Sequence, residues 1–147
     1  MEENELQFLT FVSRNAQMGV DSIKQLVDIV ENENFKSMLK KQYNEYKKIL
    51  EQSKNIIEKN NKSASSTNVI QKAETYLMIS VQTLLDKSAD NIAGMLMKGS
   101  VMGIIQIIRR IKQYASKISE ETLSLGERLR KIEESNLEEC KKFLGEK

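Results

Sequence analysis

The chain has 147 residues, 39% of them hydrophobic and 30% charged, with a net charge of +2, which is enough for one domain, residues 1–147, with a real core. It contains no histidine, no proline and a single cysteine, Cys140. Those absences exclude a Ser-His-Asp triad, histidine-ligated zinc, an internal disulfide and a thiolate-rich metal site within one chain.

No Walker loop or GxGxxG occurs, and with no basic stripe with interleaved aromatics no nucleic acid is expected. The lone cysteine fits a reducing compartment. The acidic start, MEENELQF, has neither the basic opening nor the apolar core of a secretion signal. The expected location is cytoplasmic.

The first helix is predicted from about Glu3 to Ile29. Leu9, Val12, Ala16, Gly19, Ile23, Leu26 and Val30 recur in steps of three and four, and Glu2, Glu3 and Glu5 suit the positive end of its dipole. Residues Glu31–Asn34, ENEN, form a turn whose asparagines can cap a second helix, Asn34 to Asn60. Such a short link returns that helix antiparallel beside the first. Its inward set is Phe35, Met38, Leu39, Tyr46, Ile49, Leu50, Ile56 and Ile57, while its lysines fall mainly outside.

Asn60–Asn68, NNKSASSTN, is a loop by composition. Asn68–Leu85 reads as a further helix, with Ile70, Ala73, Leu77, Val81 and Leu84 on one side, and the residues Asp86–Asp90 supply capping groups for a break. Next comes a helix from about Ala89 to Lys117. Its stretch Asp90–Ile111, DNIAGMLMKGSVMGIIQIIRRI, is apolar around most of its circumference, which predicts the buried central helix of a bundle. Lys98 interrupts the run and Arg109–Arg110 ends it, so no membrane span is expected. Gly94, Gly99, Ser100 and Gly103 form a strip of small residues where a neighbouring backbone is expected to pack closely, or an apolar ligand to sit. Ser119 is predicted to cap the last helix, which presents Leu125, Leu129, Ile132, Asn136, Cys140 and Phe143, with Gly145 able to end it.

Four helices of matched length with one odd segment between the second and third give an all-α fold. The expected architecture is two antiparallel hairpins joined by a long crossover. A simple up-and-down bundle with a fifth helix outside is the alternative. Asp86-Lys87-Ser88, Ile92-Ala93, Met95, the run Gly99-Ser100-Val101-Met102-Gly103-Ile104 and the closing Glu133-Glu134-Ser135-Asn136 resemble the ferritin-like superfamily. More narrowly, they are similar to small ferritin-like four-helix-bundle proteins of Gram-positive bacteria.

That resemblance implies a ferritin-like four-helix bundle with a long helical crossover between the second and third bundle helices. Its metal-binding members supply a Glu from each of two helices and Glu-x-x-His from each of the others. Here the nearest echoes are Glu133-x-x-Asn136 and Gln42-x-x-Glu45. Ala16, Gly19 and Ile23 on the first helix cannot ligate, and the third helix offers no interior carboxylate. The resemblance also implies His in place of Asn91 and Glu in place of Gly94.

Gln42, Glu45, Glu133 and Asn136 are therefore expected to form a buried hydrogen-bonded cluster that fixes helix register. A weak oxygen-ligated cation site, or a degenerate di-iron protein, is the lesser alternative. With no cofactor, metal or catalytic residue assigned, the expected function is non-enzymatic contact with another protein or self-association as a homo-oligomer. The alternative is a binding module for an apolar ligand such as a lipid, haem or flavin, with Met18, Met38, Met78, Met95, Met97 and Met102 lining an irregular cavity near the glycines.

Overall fold

A computed structural model describes residues 2–60 and 84–147. Helix α1 spans Glu3–Val27, α2 Glu33–Lys59, α3 Ala89–Tyr114 and α4 Glu120–Lys141, with a single 3₁₀ turn, Ala115–Lys117, between α3 and α4. The described residues contain no strand. Three helices start on the polar side chains expected of them. Asn32 accepts from the Phe35 amide at 2.9 Å, Ser88 from Asn91 at 3.2 Å and Ser119 from Thr122 at 3.2 Å, each satisfying one of the amides a helix start leaves free.

Side-chain pairs fix the helix directions. Gln7 meets Tyr114, and Asn15 lies beside Gly103, so α1 and α3 run antiparallel. Lys41 meets Glu139, Tyr46 meets Glu133 and Gln52 meets Arg128, so α2 and α4 are antiparallel as well. Glu5 meets Ser119 and Thr122, and Phe8 meets Gly126, so α1 and α4 are parallel. It follows that α2 and α3 point the same way, and the chain leaves α2 at one end of the bundle and enters α3 at the other. The helix expected over Asn68–Leu85 lies outside the described residues except for its last two, which are not helical. Leu85 is 96% exposed.

One core joins the helices. It is built on Phe8, Leu9, Val12, Leu39, Ile49, Ile107 and Leu129, all fully buried. Phe35 stacks on Phe143 at 4.8 Å between ring centroids, and Phe8 meets Tyr114 edge-on at 6.1 Å.

The central position expected for α3 is a misreading. Its buried residues are Ala89, Ile92, Ala93, Ser100, Gly103, Ile107 and Tyr114, a single stripe. Met95, Val101, Met102, Ile105 and Ile108 are exposed. In a square of four helices each one meets neighbours on one side only, so an all-round apolar sequence keeps its outer half uncovered by the other three. The segment Ala89–Lys117 is long and apolar enough to cross a membrane by length and composition, and 28% of its apolar window lies inside the bundle.

Candidate functional site

Three glycines position the interior by lacking a side chain. A Cβ at Gly19 would stand 2.5 Å from Tyr46 Cδ2, one at Gly126 would stand 2.5 Å from Phe8 Cζ, and one at Gly103 would stand 3.2 Å from Glu133 Cδ and 3.4 Å from Asn15 Nδ2. Each glycine thus receives a side chain from a neighbouring helix. The strip expected at Gly94, Gly99, Ser100 and Gly103 is half correct. Ser100 and Gly103 are buried, but no described atom would come within 4 Å of a Cβ at Gly94 or Gly99. Gly99 lies about one turn before Gly103 and is exposed; Gly94 lies about two and a half turns before it and is half-buried.

The Tyr46 ring, seated on Gly19, aims its hydroxyl at α4 and donates to Glu133 Oε1 at 2.8 Å. Ser100 of α3 hydrogen-bonds the same carboxyl group. Glu133 is 4% exposed. Burial pushes its carboxyl up to about 7, against smaller downward effects of the Tyr46 and Ser100 hydrogen bonds. Burial and the neighbouring Glu133 hold the Tyr46 phenol well above its usual range. Asn136 lies one turn further along α4, is 1% exposed and sets its side-chain amide beside the Tyr46 hydroxyl.

The four residues expected to cluster are divided between three neighbourhoods. Glu133 and Asn136 gather around Tyr46. Gln42 is buried and directs Nε2 at Cys140 Sγ, 4.0 Å away. Burial pushes that thiol up to about 11. Glu45 turns towards Glu139 and Lys41 instead, and its carboxyl is raised first by burial, with Lys41 opposing and Glu139 adding. Lys41 pairs with Glu139 at 3.0 Å.

Sequence reasoning missed Tyr46 and Asn15 as members of the interior polar group. The available signal was Tyr46 itself, a phenol on a buried stripe whose hydroxyl needed a partner. It also missed Glu5, which reaches the start of α4. Ser119 and Thr122 donate their hydroxyls to Glu5 Oε1 at 2.7 Å each, and the Ser119 amide donates to Oε2 at 3.0 Å.

Among the described residues, no three His, Cys, Asp or Glu side chains converge as metal ligands would. A surface pocket of about 380 Å³ lies between α2 and α4, lined by Gln52, Asn55, Lys59, Glu121 and Arg128 with only Ile56 and Leu125 apolar. A second, of about 460 Å³, lies at the end where the α1–α2 turn meets Lys87, Ser88 and Lys147. Neither is an apolar chamber. The methionines expected around one do not gather there, since Met38 is buried in the core whereas Met18, Met95 and Met102 are exposed, and Met78 lies outside the described residues. Met97 is partly buried against the core, so of the six only Met18, Met95 and Met102 are seen on the outer surface.

The described residues define an all-α four-helix bundle with a buried polar centre. Comparison with protein-family models, with curated proteins and with solved structures finds no match.

Proposed function

We propose that the chain is a ferritin-like bundle, with a long helical crossover between its second and third helices, that acts without catalysis through protein contacts, self-association first among them. The parallel course of α2 and α3 supports the crossover connection, because an up-and-down bundle would set those helices antiparallel. A lone cysteine, with no second one in the chain to pair with, fits a reducing, cytoplasmic setting.

One observation carries the functional reading. Helix α3 turns Met95, Val101, Met102, Ile105 and Ile108 to solvent on the side away from α1 and α4. Contiguous apolar patches on soluble proteins mark contact sites, and covering one returns about 25 cal/mol per Å² of apolar surface. Met95 and Met102 are unbranched and adapt to a partner's shape.

Sedimentation across a concentration series tests this reading. The wild-type chain is expected to associate, and Met102→Glu/Ile105→Glu to stay monomeric with unchanged helix content. A wild-type chain that is monomeric at every concentration and takes no protein partner overturns it.

A further inference from the structure

Among the described residues two carboxyl groups are buried, Asp21 and Glu133, and Glu133 is the deeper, 4% exposed. Glu133 meets a different helix on each side. From α2, Tyr46 donates to it at 2.8 Å. From α3, Ser100 hydrogen-bonds it, and the bare backbone of Gly103 lies against its Cδ and Oε2. From α1, the Asn15 amide nitrogen reaches the same spot above Gly103. On its own helix, Asn136 and Cys140 follow.

The titratable neighbours are Tyr46 and Cys140, whose raised phenol and thiol are both uncharged near neutral pH. Asn15, Ser100 and Asn136 carry no charge, and no lysine or arginine contributes to the balance at Glu133. A carboxylate buried with no counter-charge is costly, and neutralisation by a proton is the usual relief.

We propose that Glu133 is a proton-operated latch: as the carboxylic acid it closes the seam where all four helices meet, and as the carboxylate it draws water into that seam and loosens the α3–α4 hairpin from α1 and α2. Asn136 provides the second half of the device. Both its amide atoms are buried beside the Tyr46 hydroxyl, placed to bind the water that an ionised Glu133 requires. Gly103 leaves only backbone between that water and the outer face of α3.

The sign follows from the direction of the perturbation. The folded chain holds the proton up to about 7, whereas the unfolded chain releases it near the ordinary 4.5. Stability from this group is therefore full below 4.5, falls as pH rises towards 7 and is flat above. The gap between 4.5 and about 7 corresponds to about 300-fold in the folding equilibrium constant.

The test is equilibrium denaturation from about pH 4.5 to about pH 8.5 of the wild type, Glu133→Gln and Tyr46→Phe, with a carbon-13 carboxyl titration of the wild type by NMR. The wild type is expected to lose about 150-fold in folding constant across that range, since at pH 4.5 the unfolded carboxyl is already half ionised, and Glu133→Gln to lose that component. Tyr46→Phe removes a hydrogen bond that favours the carboxylate, so the midpoint of the fall moves to higher pH, which a purely structural tyrosine would not cause. A Glu133 carboxyl titrating in the ordinary range, or a Glu133→Gln profile parallel to the wild type, overturns the proposal. Should Glu133→Gln fail to fold, the NMR titration and the Tyr46→Phe midpoint decide.

Discussion

Tyr46 and Gly19 form a single unit: the phenol lies so close to the α1 backbone that a methyl at Gly19 would stand 2.5 to 2.8 Å from three of its ring atoms. The contact involves Cγ and both Cδ atoms, the near end of the ring, which cannot swing away without moving the α2 backbone. The far end is held by Glu133. One glycine on the first helix thus sets where a hydroxyl on the second meets a carboxyl on the last.

Glycine replacements should therefore separate into two groups. Gly19→Ala is expected to destabilise by about 1–3 kcal/mol, because overpacking outweighs the roughly 1 kcal/mol of helix propensity gained. Gly94→Ala and Gly99→Ala meet open space among the described residues and should stabilise by up to about 1 kcal/mol. Gly103→Leu should lower the melting temperature, whereas Gly99→Leu should leave it nearly unchanged. Urea denaturation and thermal melts read all five variants, and equal losses at Gly19 and Gly99 would contradict the placement of α3.

Glu5→Ala should cost about 1–2 kcal/mol, the range of a lost helix cap. The carboxylate accepts from Ser119 and Thr122 and so ties the start of α4 to the start of α1. The loss should concentrate there. Hydrogen exchange is expected to quicken in the first turn of α4 and at Gln7–Tyr114, while the centre of the bundle around Tyr46 stays protected. Uniform quickening would mean that Glu5 acts only through global stability.

Cys140 should be inert in the native chain. It is 1% exposed, and burial pushes its thiol up to about 11 from an ordinary 9.0. Because the folded state keeps this proton longer than the unfolded state, its contribution to stability is full below 9.0 and is lost as pH rises towards about 11. A colorimetric thiol reagent at neutral pH should react only as fast as the chain opens, and at once in denaturant. Prompt labelling of the native protein would show that the Gln42 side of α4 is accessible.

The sequence disclosed what depends on local chemistry. Helix starts at Asn32, Ser88 and Ser119 were legible because a capping side chain acts within three residues of itself. Burial of Gln42, Glu133 and Asn136 was legible because each falls on an apolar stripe. What escaped depends on distant neighbours. Residue type says that Met102 and Ile105 prefer an apolar surrounding, but not whether another helix is there to supply it. Glu45 sits one position from Tyr46, and the helical turn of about 100° per residue sends it to Lys41 and Glu139 instead. The pairing of Tyr46 with Glu133 needs the relative height of two helices 87 residues apart in the chain, which no short pattern encodes.

The directions of the four helices also set an order of events in time. Each hairpin, α1 with α2 and α3 with α4, is closed by a short turn, so its contacts are near in sequence and can form quickly. The bonds that join the hairpins bridge far longer stretches, 87 residues for Tyr46 and Glu133 and 114 for Glu5 and Ser119. Closing such loops costs entropy before any contact returns it. Folding should then end with the collision of two partly formed hairpins. Until that encounter Glu133 is in water and ionised near neutral pH, so its proton is taken up from solvent in the same step that completes the native state.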